Sequence, residues 1–349
     1  MRALSRNLKT NLWFLSGLIV FLAPVIAWAD TPIARADSPP EPLTIATWNL
    51  EWFFDDELRD NFSDVAKEQS SPSQEEWLWK LNTTALAIAK FKPTILLVQE
   101  IEGREVMYKL AAVLKDRHNV NYRVAFIDGN DRSTEQDVAI LYQSGLVEFS
   151  RREQNNEMFR SRDYYNLSKH LIGRFEWQVG DQVESLTVLN IHLRATAEAS
   201  DPRIKQCKLA HEWVRRQVEQ GENVIIAGDM NVEELAGSVT PEGDGMHWIM
   251  GRSTASTKDD LVDLLERAPA EKRKTHLLLD RQFDRILASP AMMKTVGPGI
   301  IFQKIEVLSE HNIRGEGIDL DHWDTRYTKP HNERDISDHH PVMATFLVR

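Results

Sequence analysis

Five apolar runs in this chain begin or end on side chains that can bind a metal or move a proton. "LTIATWNLE" ends on Asn49 and Glu51, and "PTILLVQE" ends on Gln99 and Glu100. "SLTVLNIHL" carries Asn190 and His192, and "NVIIAGDMN" carries Asp229 and Asn231. The last run, Val342 to Val348, is instead entered through Asp338, His339 and His340. With Asp284 in "FDRIL", these positions supply carboxylates, amides and imidazoles. Oxygen-rich sets of this kind suit Mg²⁺, Mn²⁺ or Ca²⁺ better than structural zinc. A hard cation held by carboxylates beside a His–Asp pair is suited to phosphate-ester hydrolysis. The cation neutralises phosphoryl oxygens, the imidazole takes a proton from water, and the Asp orients it. In that scheme an Asp-x-Asn pair positions the water through an oxygen and the phosphoryl group through an amide. The motifs of zincins, P-loop NTPases and serine hydrolases are absent, and the single cysteine, Cys207, excludes a paired-Cys metal site.

The elements that must position these groups are readable. Each run is short and rich in Val, Ile, Leu or Thr, as strands are. Helical periodicity covers Glu75 to Lys90, Glu105 to Lys115 and Pro202 to Glu219, so strand and helix alternate and the fold class is α/β. Gly180-Asp181 between two apolar runs predicts an antiparallel hairpin. Four runs carry their polar groups at the C-terminal end and the last carries them at its start. Convergence on one edge therefore requires the last strand to run opposite to the others, in mixed sheets. Cys207 lies within a helical pattern and reads as a small core residue. Asn61 to Ser73 reads as a loop, Glu233 to Lys258 as an excursion near the site, and Glu310 to Asp335 shows no clear element.

The N-terminus reads as separate from the fold. Arg2, Arg6 and Lys9 precede an apolar stretch ending Ala27-Trp28-Ala29, the pattern of a secretory signal peptide over residues 1–29. An uncleaved anchor is the competing reading, and Ala34-Arg35-Ala36 offers a second cleavage site. Residues 30–42, containing "DSPPEP", read as a linker, and residues 43–349 as one domain. The expected location is secreted or periplasmic, with no stable membrane association after cleavage. The formal charge of −11 becomes −14 once those three basic residues are removed (−11 − 3), so a broad basic surface for nucleic acid is excluded. Ten tryptophans and 42% apolar residues argue for a substantial core.

The ordered motifs "TWNLE", "VQEIEG", "LNIHLRA", "AGDMN", "FDRIL" and "SDHHPV" resemble the endonuclease/exonuclease/phosphatase superfamily, which includes pancreatic deoxyribonuclease. The resemblance runs from about Leu43 to Arg349 and implies a four-layer α/β sandwich of two packed mixed β-sheets flanked by helices. By the same resemblance Glu100 is the principal metal ligand, with Asn49 and Glu51 beside it, and His339 is the general base. Asp338 lies near the metal or hydrogen-bonds the base, and Asp229 orients the water or the base. Asn231 contacts phosphate, His192 is a phosphate contact or acid supported by Asn190, and Asp284 orients His192. His340 has no role in the pattern and reads as structure flanking the strand. Arg132, Arg194 and Arg285 are candidate phosphate contacts. The expected activity is a Mg²⁺-dependent phosphodiesterase, with nucleic acid as substrate and low sequence specificity. Hydrolysis of a lipid or sugar phosphate is the alternative.

Overall fold

The computed structural model describes residues 38–39, 41–232 and 244–349. The signal peptide, most of the linker and residues 233–243 of the expected excursion lie outside them. Twelve strands form two six-stranded mixed sheets. One has the order β11 (Ile300–Val307), β12 (Val342–Val348), β1 (Leu43–Phe53), β2 (Ile95–Ile101), β4 (Asp137–Tyr142), β3 (Arg123–Ala125). The other has the order β5 (Leu146–Ser150), β6 (His170–Val179), β7 (Gln182–His192), β8 (Val224–Asp229), β10 (Asp284–Ala288), β9 (Val262–Asp263).

The inward faces alternate along each strand. Ile45, Leu97, Ile140, Val188, Ile225, Ile286 and Phe346 meet between the sheets. Their sequence neighbours Ala46, Leu96, Val98 and Leu141 face outward and are covered by two helices, α2 (Gln74–Phe91) and α3 (Arg104–His118). On the other sheet Leu189, Ile191, Val224 and Ile226 are covered by α5 (Ser200–Glu219). Strands buried on both faces need apolar side chains at successive positions, which is why these runs are nearly continuous rather than alternating. The result is the four-layer sandwich that the resemblance implies. Cys207 is buried on the inner face of α5.

Strand directions decide where the polar groups meet. β1 and β2 are parallel, as are β7 and β8, so Glu100 and Asp229 lie at the same ends as Asn49 and His192 respectively. β12 pairs antiparallel with β1, as convergence requires, and β10 pairs antiparallel with β8. Gly180 closes the β6–β7 hairpin at φ 58°, with Val179 opposite Gln182. Gly228 is needed for another reason: a Cβ there would stand 1.9 Å from the Ile191 carbonyl oxygen, so only glycine lets β8 lie this close to β7.

All three of the unassigned segments acquire structure among the described residues, the excursion through a short helix at Gly245–Ile249. Asn61 to Ser73 contains a short helix, α1 (Asp64–Gln69), because Ser63 caps it by accepting from the Ala66 amide at 3.0 Å. The stretch after β11 carries short helices at Ser309–Asn312 and His322–Thr325 and is held by ion pairs rather than by a core.

Candidate active site

The C-terminal ends of β1, β2, β7 and β8 and the starts of β10 and β12 open on one rim. Register alone would keep Asn49 and Glu100 in the alternation of their strands, but both strands are irregular there, with shifts between Asn49 and Phe53 and between Gln99 and Ile101. Glu51, Trp52, Glu100 and Asn231 all take positive φ, from 46° to 58°. Non-glycine residues in this region carry about 1–3 kcal/mol of strain each, and such residues cluster where side chains must be aimed at a site.

Asp229 is the hub. Its Oδ2 accepts from Asn49 Nδ2 at 2.9 Å and faces His192 Nε2 at 3.6 Å and His339 Nε2 at 3.8 Å. Its Oδ1 accepts from the Asn231 amide at 2.9 Å. Glu100 Oε1 accepts from Asn49 Nδ2 at 3.0 Å and lies 3.8 Å from His192, while Oε2 accepts from the Trp52 amide. His339 is fixed from several directions. Its Nδ1 meets Asp284 Oδ2 at 2.8 Å, its amide donates to Ser337 Oγ, and its carbonyl accepts from Trp48 Nε1. Asp338 accepts from Trp323 Nε1 at 2.9 Å and stands 3.8 Å from His339 Nε2, too far for a hydrogen bond.

The electrostatics separate the two histidines. Burial disfavours charge on His339, but Asp284, Asp229 and Asp338 outweigh it and hold the imidazole well above its ordinary value. Burial, then Lys169 and His339, pushes His192 well below it, so His192 is neutral. Burial raises Glu100 to about 7, helped by the negative charge of Asp338. Asp229 and Asp338 are also raised, by burial first and then by neighbouring carboxylates.

These crowded carboxylates answer whether a cation fits. Glu100, Asp229 and His192 each offer one ligand atom, all within 4.8 Å of one another. Two carboxylates and an imidazole nitrogen suit a hard or borderline divalent ion, and its charge would relieve the burial of the acids. Among the described residues Asp55, Asp60 and Glu102 form a separate acidic group, and His276, Asp338 and His339 a third.

The structure brings together Asn49, Glu100, His192, Asp229, Asn231, Asp284, Asp338 and His339, and it corrects several expectations. Asp284 orients His339 rather than His192. β10 adds to β8 on the side away from β7, so Asp284 lies opposite Asp229, two strands from His192. Glu51 lies at the edge of the carboxylate cluster, its Oε2 accepting from the Asp338 amide at 3.1 Å. It also bonds His322 at 2.7 Å and lies near Arg326 and Lys80, so it anchors the 313–335 segment. Asn49 spends its amide N–H on Glu100 and Asp229 and accepts from the Glu51 amide on its oxygen, so it orders the two carboxylates. Asn190 is 0% exposed and reaches no substrate. Its amide bridges the sheets to the Val98 and Ala139 carbonyls, and its oxygen takes Gln99 Nε2. Arg285 is buried against Asp263 and is not a phosphate contact. Arg194 is exposed on the rim, its guanidinium over the Tyr165 ring at 5.2 Å. His340 is buried and meets Asn312 at 3.1 Å.

Sequence reading missed His276, His322, Arg326 and Lys80, and left Trp323 in a segment without a clear element. His276 bridges the His339 backbone and receives the Leu278 and Leu279 amides on Nδ1, which leaves Nε2–H toward Asp338 at 3.8 Å. Only Lys80 left a signal. It sits on the buried face of α2 with Trp77, Leu81 and Thr84, where a lysine requires a partner.

Comparison with known proteins follows this geometry. The family described as Endonuclease/Exonuclease/phosphatase matches residues 46–339. Curated proteins yield no match by sequence. Solved structures with the same fold include D. rerio TDP2 complexed with single strand DNA product, 16% identical, TM-score 0.51, covering 88% of this chain and 99% of that one. The human Nocturnin catalytic domain with bound sulfate anion is 13% identical, TM-score 0.53, covering 90% and 97%. An endonuclease/exonuclease/phosphatase family protein from Bacteroides thetaiotaomicron is 14% identical, TM-score 0.53, covering 88% and 98%.

Proposed function

The chain belongs to the endonuclease/exonuclease/phosphatase family, and from that premise we propose that it is an exported, divalent-metal-dependent phosphodiesterase that cleaves nucleic acid with low sequence specificity. The observation that carries the reading is the line Asp284–His339–Asp229. One carboxylate holds Nδ1 at 2.8 Å while Nε2 faces a second carboxylate in the cleft that also contains Glu100 and His192. The signal-peptide pattern of residues 1–29 supports export. That the TDP2 structure holds a single strand DNA product supports nucleic acid as the substrate class.

His339 Nε2 takes the proton of a water whose oxygen attacks phosphorus, and Asp284 stabilises the imidazolium that results. Asp229 accepts the water's other hydrogen and aims its lone pair. Neutral His192, whose Nε2 lies 3.6 Å from Asp229 and 3.8 Å from Glu100, suits ligation beside those carboxylates and not proton delivery. As the P–O ester bond breaks, the departing oxygen takes its proton from solvent. A divalent ion held by Glu100, Asp229 and His192 would supply charge neutralisation at the phosphoryl oxygens.

The test is the purified mature protein, with EDTA and with Mg²⁺ or Mn²⁺ added back, against single- and double-stranded DNA, RNA, sphingomyelin and bis-p-nitrophenyl phosphate. Cleavage of nucleic acid that EDTA abolishes and Mg²⁺ or Mn²⁺ restores is expected, and full activity in excess chelator would sink the metal dependence. A second reading, a lipid phosphodiesterase, is favoured by one observation. Leu320 and Trp323, 79% and 55% exposed, lie on the segment that reaches Asp338. Rapid sphingomyelin hydrolysis with nucleic acids left intact would select it.

A further inference from the structure

A formal charge of −11 rules out a generally basic surface, yet the cations are unevenly placed. A cleft of about 1370 Å³ opens beside Glu100 and His192, along the loop before β4 and the connection between β5 and β6. Its lining holds six cations, Arg132, Arg160, Arg162, Lys169, Arg194 and Lys205, against two carboxylates, Glu100 and Asp131. Lys169 pairs with Asp131 at 3.1 Å and Lys205 with Asp201 at 3.0 Å. Arg132, Arg160 and Arg162 meet no carboxylate within ion-pair distance among the described residues, and Arg194 lies on Tyr165 instead.

Packing does not account for this composition. Arg160 sits on α4 (Asn156–Ser161), a short helix capped by Asn155 that buries none of its residues. The same helix presents Phe159 to solvent at 69% exposure, and Tyr165 follows in the cleft at 40%. Arginines interleaved with exposed aromatic faces match the two needs of a single strand, phosphates to neutralise and unstacked bases to cover. A volume above the ~300–1,000 Å³ of ordinary small-molecule pockets suits an extended ligand.

We propose that this cleft is a track for a single-stranded polynucleotide. Phosphates beyond the scissile one lie along Arg132, Arg160, Arg162 and Arg194, and bases stack on Phe159 and Tyr165. The track leads to Glu100, His192 and His339. This inference rests on the nucleic-acid reading above and names the strand state and the surface that reading leaves open.

The experiment compares wild type with the double variant Arg160→Ala/Arg162→Ala. The charge-matched control is Lys294→Ala/Lys304→Ala, exposed positions outside the cleft. Oligothymidylates of 2 and 12 nucleotides are hydrolysed over a range of salt. In parallel, binding of fluorescein-labelled dT12 is followed by anisotropy in a His339→Ala background, which needs no turnover. The cleft variant is expected to lose about 10-fold or more in kcat/KM and in affinity for the 12-mer, with a smaller loss on the dinucleotide. Its single-strand salt slope should fall by about 1.4, roughly 0.7 for each of two cations. Phe159→Ala should weaken dT12 about 5-fold or more while sparing an abasic strand of equal length. Equal losses at both lengths, an unchanged slope, or the same loss in the control would overturn the track. Loss of binding to phosphatidylserine vesicles with dT12 binding intact would overturn it too, assigning the arginines to a membrane. Were wild type to bind dT12 through these arginines yet hydrolyse only bis-p-nitrophenyl phosphate, the track would stand and the nuclease reading would fall.

Discussion

The two walls of the catalytic cleft are built from the same residue types and do opposite things with them. On the wall formed by residues 313–335, many of the charges are matched. Glu51 takes His322, Arg326 and Lys80, Glu76 takes Arg334 and His331, and Lys329 takes Asp319 and Asp321. On the facing wall Arg132, Arg160 and Arg162 meet no carboxylate among the described residues. The lesson is that an arginine's role is read from its partner. Charges that are buried and paired fix a segment that has too little apolar area to pack. Charges left solvated and unpaired are free to meet a ligand. Sequence offered no means of telling Arg326 from Arg160.

The largest effect is expected where the paired wall is broken. Glu51→Gln leaves Lys80 and Arg326 buried without their counter-charge and should cost about 3–5 kcal/mol in urea denaturation. A loss under ~1 kcal/mol would show that the wall is held by something else. The pH dependence carries the same information. Burial opposes charge on Glu51, but Arg326, His322 and Lys80 hold its carboxyl below its ordinary value of 4.5. The stabilisation from Glu51 is therefore complete above about pH 4.5 and drains away as pH falls below it. In Glu51→Gln that part of the acid transition should be missing.

Between the walls lies His339, and there the effect is on rate. His339→Ala should lose at least ~10²-fold, about 2.7 kcal/mol in the barrier, with its melting temperature near that of wild type. The acceptor form of the imidazole is neutral, and three carboxylates raise its value, so kcat/KM should climb with pH through a limb displaced to the alkaline side. Asp284→Asn removes one of those carboxylates. It should move the limb to lower pH while reducing kcat, and an unmoved limb would mean that the titrating group is not His339.

Smaller effects probe where the paired wall touches the site. Trp323→Phe removes the indole N–H from Asp338 and should cost about 0.5–1.5 kcal/mol in transition-state stabilisation, read from kcat/KM. It should also raise the Asp338 carboxyl further, because that hydrogen bond favours the ionised form. The smallest effect belongs to the open wall. Arg132→Ala should change stability by less than ~0.5 kcal/mol, since Arg132 is exposed and pairs with no carboxylate among the described residues. A larger loss would mean that the open wall is structural and would erase the contrast.

Much of the molecule was legible before any coordinates. The strands that carry the site, the three long helices to within two or three residues, the hairpin at Gly180 and the reversal of the last strand follow from local periodicity and turn chemistry, which neighbouring residues carry among themselves. The residue types at the strand ends also named most of the groups that meet at the rim. Partnership between those groups was not legible. Whether Asp284 serves His192 or His339 depends on which side of β8 the strand β10 joins, a choice made by sheet order across residues 229 to 284. That Glu51 meets His322 depends on a backbone irregularity and on a segment 271 residues later in the chain. Asn190 lies in a run that resembles a site motif, but two packed sheets enclose it. Sequence by itself determined what each strand end could do chemically. Tertiary structure decided which charges face one another, because pairing is set by distances of 3–4 Å between residues that periodicity cannot relate.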